Sequence, residues 1–285
     1  MKDNITVSYF PNFGISPKEE RCAEFAANGV KSIVLDAEIL EPSIFEERSV
    51  TQFALLGKKY GMIFNDCHAL SGNGWDLNTK DSDIREKLIV LHILCMKYAS
   101  KAGVKTFTMH IGVPDGDAIA ERERVSDTIN RLLPAAEKFK IIIALENSEA
   151  VNAGPDDLLY YVEHFNSPFL GLCYDCGHAN IYEHTFGKNN GSILEAMFPQ
   201  ITTAHLHDNN GEFDAHLLPG EGNVDWPWIL YRLRQAPKLV SIQNEVLLHG
   251  KILPVRTEVE NFNSLLEKYF TGKKYKETQT EEVLK

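Results

Sequence analysis

The chain has 285 residues, 44% of them hydrophobic, enough to bury a large core as two modest domains or as one α/β barrel. Its net charge of −11 argues against a broad electrostatic grip on nucleic acid, which draws on Lys and Arg replacing condensed counterions. Five cysteines, an odd number behind a polar N-terminus, read as reduced thiols, and no stretch approaches the roughly 20 apolar residues of a membrane span, so the expectation is a soluble cytoplasmic protein.

Eight short apolar runs follow one another along the chain and predict β-strands: ITVSYF, SIVLDA, MIFNDCHA, TFTMHIG, IIIALENS, LGLCYDCGH, ITTAHLHDN and LVSIQNEV. Between them lie segments with apolar residues at helical spacing. PKEERCAEFAANG follows the first run, IREKLIVLHILCMKYASKAG the third, DDLLYYVEHFN the fifth and DWPWILYRL the seventh. Gly29, Gly61 and Gly103 stand where helices should stop in the left-handed conformation. A doubly wound sheet would carry a Gly-rich phosphate turn after its first strand, and GxGxxG is absent. The pattern therefore predicts an α/β fold, a single (β/α)8 TIM barrel over residues 1–270, followed by a charged C-terminal tail over 271–285.

In such a barrel the active site forms at the C-terminal ends of the strands, and here those ends are chemically loaded. The third run ends at Asp66 and His68, the fourth at His110, the fifth at Glu146 and Asn147 and the sixth at Asp175 and His178. The seventh ends at His205, His207 and Asp208, with Asp214 and His216 in the loop beyond, and the eighth at Glu245. One histidine at a strand end is ordinarily a hydrogen-bonded structural residue; six strands ending this way together point to function. Carboxylates and imidazoles converging on one mouth need cations or protons between them, so a divalent metal is the natural cofactor. The mixed donors favour Mn²⁺, Zn²⁺ or Co²⁺, with Mg²⁺ behind them, over the all-oxygen shell of Ca²⁺.

ALENS, YDCGHAN, HLHD followed by HLLPGEGNVDW, and QNE occur in strand order and resemble the xylose isomerase-like barrel superfamily, which groups sugar isomerases and epimerases with endonuclease IV. The resemblance spans nearly the whole chain. It implies a small-molecule carbohydrate substrate, free or phosphorylated, and one metal held by Glu146, Asp175, His205 and Glu245. Glu146 and Glu245 would also shuttle a proton beside the substrate carbonyl, with His178 on the substrate oxygens. His68, His110 and His207 are further candidates for substrate contact. His207 stands where related isomerases often have Lys, and a solvent-facing histidine is the alternative reading there. His205 is preferred as the ligand because the family pattern of a histidine followed, after two residues, by an acid runs from His205 to Asp208.

The endonuclease IV branch implies a larger set, His68, His110, Glu146, Asp175, His178, His205, Asp214, His216 and Glu245, and with it a polynuclear zinc phosphodiesterase as the alternative function. Against a DNA substrate stand the acidic balance and the loop HALSGNGWD, small and Gly-rich, with Trp75 alone bulky, where endonuclease IV inserts a wedge. The arginine that ketose 3-epimerases place after the metal histidine has no counterpart in HDNNGEFDAH. Cys173 and Cys176 read as packing residues, His92 and His164 as ordinary helix residues, and PGEG as a structural turn before a phosphate cradle. A homo-oligomer is compatible with this reading; a membrane partner is not expected.

Overall fold

The computed structural model describes residues 5–12, 18–36, 54–72, 74–247 and 253–271. Eight strands form: β1 (Thr6–Tyr9), β2 (Ser32–Asp36), β3 (Ile63–His68), β4 (Thr106–His110), β5 (Ile142–Glu146), β6 (Leu170–Asp175), β7 (Ile201–Leu206) and β8 (Ser241–Asn244). Each pairs in parallel with its neighbours in sequence, and β8 closes the barrel on β1 from Thr6↔Ser241 to Tyr9↔Asn244. Every residue of β6 and of β7 is buried, as expected of parallel strands covered on both faces. The expected TIM barrel is the fold that forms.

The helices that cover the barrel carry their own start and stop signals. In the helix Ser82–Ala102, the Asp81 carboxylate accepts from the N–H groups of Asp83 and Ile84, and Gly103 ends it at φ 98°. The helix Pro155–Phe165 buries Leu158, Tyr161 and Val162, three positions on one helical face. Its first turn has Pro155, whose missing N–H costs nothing there. The helix Cys176–Thr185 starts directly at the end of β6, so Asp175 both ends the strand and caps the helix, accepting from the His178 N–H at 2.6 Å. One of the residues expected in the site is thus fixed by helix-capping chemistry.

The barrel interior below the mouth is unusually polar. Ser8 and Ser32 share a hydrogen bond at 2.9 Å, Thr203 and Ser241 another at 2.8 Å, and Asp66 lies among them, fully buried. Apolar packing concentrates instead between the barrel and its helices, where Phe25, Phe64, Phe107 and Phe262 are fully enclosed. Among the described residues no helix is long and apolar enough to cross a membrane. Apart from Thr271, the charged tail expected over 271–285 lies outside the described residues.

Candidate metal centre

Ligand atoms of Glu146, Asp175, His205 and Glu245 all lie within 4.8 Å of one another at the C-terminal ends of β5 to β8. His205 Nδ1 is at the middle of this group, 3.3 Å from Glu146 Oε1 and 3.1 Å from Glu245 Oε2, yet it is buried with no hydrogen-bond partner. An orphaned buried nitrogen facing two carboxylates is the arrangement a cation resolves. Gln243 donates to Glu245 Oε1 at 2.9 Å, which fixes the free end of that carboxylate.

Three other histidines repeat the signal in a different form. His68 donates its Nδ1–H to the Ala69 carbonyl at 2.8 Å, His178 to the Asn147 carbonyl at 2.9 Å and His216 to the Glu245 carbonyl at 2.8 Å. A carbonyl only accepts, so the proton of each neutral ring sits on Nδ1 and the lone pair of Nε2 points away from it. Those lone pairs face carboxylates: His68 Nε2 is 3.6 Å from Glu146 Oε2, and Asp214 Oδ2 is 3.3 Å from His178 Nε2 and 2.7 Å from His216 Nε2. Lone pair against carboxylate is repulsive unless a second proton or a metal ion stands between, so the donor set fits divalent cations. Other groups have the required closeness, among them His68 with His110 and Glu146, and His207 with Asp214 and His216.

Electrostatics of the side chains alone says the same. Burial would raise the Glu146 carboxyl, but His205, His110 and His178 hold it well below its ordinary range. Asp175, likewise penalised by burial, is drawn down to about 2 by His178 and His207. Burial pulls the His68 imidazole down, and the hydrogen bond and charge of Glu146 overcome it to lift the group to about 9. His216 also reaches about 9, against its burial, through Asp214, Glu245 and Asp175. The mouth attracts positive charge, as protons or as metal.

The loop after β7 is pinned to the strand that carries it. Asp208 and Leu217 exchange backbone hydrogen bonds at 2.9 and 2.8 Å, closing residues 209–216 into a turn that returns Asp214 and His216 to the mouth. His216 adopts φ 43°, left-handed backbone that a non-glycine residue rarely takes, and its bond to the Glu245 carbonyl holds it there. Within PGEG, the Gly220 N–H donates to Asp208 at 2.7 Å, so this N–H is committed to a structural role.

Above these residues opens a cleft of about 250 Å³. Its lining combines the apolar Phe10, Ala69 and Leu247 with the imidazoles of His68, His110, His178 and His216 and the carboxylates of Glu146, Asp214 and Glu245. Asp175 and His205 are fully buried and do not line it. His207 is also fully buried, its Nε2 3.1 Å from Asp175 Oδ2 and its ring stacked on His216 at 3.9 Å. The solvent-facing reading of His207 therefore does not hold, and the ring does not line the cleft. β7 ends at Leu206, so the residue after it leaves the sheet.

One supporting residue, Asn147, had no role from sequence. Asn147 clamps the Asp175 backbone at both ends, donating to its carbonyl at 2.9 Å and accepting from its N–H at 2.9 Å. A signal for it existed in the polar pair that ends ALENS. Trp75 packs against the core rather than standing free as a wedge. Cys173 and Cys176 are buried free thiols, His92 is buried and bonded to the Leu88 carbonyl, and His164 is exposed and stacked on Tyr160.

Comparison with known proteins adds the lineage. An uncharacterized protein of Methanocaldococcus jannaschii, MJ1311, is 33% identical over 126 residues, 41% of this chain and 42% of that protein. A second from the same organism, MJ1614, is 26% identical over 179 residues, 60% of this chain and 68% of its own. The match to MJ1311 thus spans less than half of that relative. Among solved structures, a D-tagatose 3-epimerase-like protein superposes with a TM-score of 0.76 at 20% identity, covering 92% of this chain and 97% of its own. The IOLI protein, solved with a zinc atom, superposes at 0.76 with 17% identity, covering 94% and 100%. At those identities the likeness establishes the fold. Residues 20–243 match the sequence model described as xylose isomerase-like TIM barrel, and the chain belongs to that family.

Proposed function

We propose that the protein is a divalent-metal-dependent isomerase or epimerase acting on a small sugar or sugar phosphate. One observation carries the reading: of the four clustered residues, Glu146 and Glu245 line the cleft, whereas Asp175 and His205 are sealed behind them. Two carboxylates are thereby offered to a substrate while the other two groups stay out of its reach. A cation held by Glu146, Asp175, His205 and Glu245 would supply Lewis-acid polarisation of a carbonyl and the hydroxyl beside it. Glu146 and Glu245 are then placed to take a proton from the carbon next to that carbonyl and to return one. His178, anchored by Asn147 and lining the cleft, orients substrate oxygens, with His68 and His110 also in the lining.

A second reading, hydrolysis of a phosphate ester by a polynuclear centre, is favoured by the two additional groups around His68–His110 and Asp214–His216. The net charge of −11 keeps a small ester ahead of a nucleic acid as its substrate. The test uses the full chain loaded in turn with Mn²⁺, Co²⁺ and Zn²⁺, incubated with a panel of ketoses and aldoses in D₂O. Deuterium entering beside the carbonyl, lost in Glu146→Gln and Glu245→Gln, is the expected result. No exchange, with phosphate released from simple esters, would replace the first reading with the second.

A further inference from the structure

One layer below the mouth, Asp66 is fully buried at the middle of the barrel. Its carboxylate is held from several sides: Thr106 Oγ1 and the Cys67 N–H donate to Oδ1 at 2.7 and 3.0 Å, and Thr203 Oγ1 donates to Oδ2 at 3.1 Å. Thr203 in turn shares a hydrogen bond with Ser241 at 2.8 Å, so one of the hydroxyls that fix Asp66 is itself fixed. A barrel of this class ordinarily fills this layer with branched apolar side chains. A buried carboxylate with neutral donors alone is expensive to keep unless a positive charge lies near.

The base that faces it is His205. Nε2 of that ring lies 3.8 Å from Asp66 Oδ2 and 3.4 Å from Thr108 Oγ1, while Nδ1 points the other way, orphaned, toward Glu146 and Glu245. A ring between a carboxylate below and a cation above puts its proton on the carboxylate side and its lone pair on the cation side. We infer that Asp66 is a positioning residue for His205: it holds the imidazole proton on Nε2 and leaves Nδ1 free to bind the cation shared with Glu146, Asp175 and Glu245. The inference rests on the reading of that group as a cation site. It makes the affinity of the mouth depend on a carboxylate that touches neither substrate nor metal.

The test measures Zn²⁺ affinity of the full chain by competition with a chromophoric chelator, and the visible absorption of the Co²⁺-loaded form. Asp66→Asn, which keeps the shape and removes the charge, should weaken Zn²⁺ binding about 10- to 100-fold and move the Co²⁺ bands. The metal-free variant should melt no lower than the wild type, a readout that separates positioning from a role in folding. Unchanged affinity and an unchanged Co²⁺ spectrum overturn the inference. So does a loss reproduced by Thr108→Val and not by Asp66→Asn, because the hydroxyl would then set the ring. Should Asp66→Asn not fold, the Thr106→Val/Thr203→Val double variant, which frees the carboxylate without removing it, must weaken Zn²⁺ binding for the inference to stand. A wild type that binds neither ion fails the cation-site reading itself, a result distinct from all of these.

Discussion

Replacing Asp208 by Asn should unfasten the loop that carries Asp214 and His216. Asp208 Oδ1 accepts from the N–H groups of Asn209 at 3.0 Å and Val224 at 3.2 Å, and Oδ2 from the Gly220 N–H at 2.7 Å and Trp226 Nε1 at 2.9 Å. An amide has one accepting oxygen, so whichever way it is turned two donors meet an NH₂ group. Hydrogen bonds to a charged acceptor contribute roughly 1.5–3 kcal/mol each, giving a gross loss of about 3–6 kcal/mol. Gly220 is exposed and can recover water, which brings the expected net destabilisation to about 3 kcal/mol. The assay is denaturant unfolding of metal-free protein by circular dichroism, paired with Zn²⁺ stoichiometry. Binding at the group of His207, Asp214 and His216 should be lost while the group around Glu146 is kept. A midpoint equal to that of the wild type, with full stoichiometry, would refute the argument that this one carboxylate organises the loop.

Gly177→Ala drives a Cβ into the His207 ring, and with that ring fully buried the overpacking should cost about 1–3 kcal/mol, read as a lowered melting temperature; a wild-type melting temperature would contradict it. Glu146→Gln should lose more bound metal than Glu245→Gln, because Glu146 belongs to three of the clustered ligand groups and Glu245 to two, and elemental analysis of both variants checks the order. For pH, the folded values of His68 and His216 near 9 exceed the ordinary 6.5, so the stability they contribute to metal-free protein is complete below pH 6.5 and disappears as pH rises through 9. Melting of metal-free protein across that window should fall by an amount equivalent to a few kcal/mol, and Zn²⁺ loading at pH 7 should release protons. A flat profile with no proton release would contradict the assignment.

The barrel was legible because eight apolar runs alternate with segments of helical spacing, and six of those runs end in reactive side chains, signals that are local in sequence. Strand-end placement gave a wide set of candidates, and the resemblance to the barrel superfamily singled out Glu146, Asp175, His205 and Glu245, whose ligand atoms meet because parallel strands end at one level. Depth was not legible. Asp66 precedes His68 by two residues, which on a strand is about 7 Å along the axis, enough to move it from the mouth to the layer beneath. The burial of His207 was not legible because β7 stops at Leu206 and the chain turns over Asp175. The role of Asp208 depends on Gly220, Val224 and Trp226, partners more than ten residues away that no local pattern announces.

The most direct measurement is metal content and location in the full-length protein: elemental analysis after loading with Mn²⁺, Co²⁺ or Zn²⁺, and anomalous scattering from crystals of the loaded form. An ion ligated by Glu146, Asp175, His205 and Glu245 is the predicted result. Protein that retains no divalent ion, or holds one only away from those side chains, would contradict it.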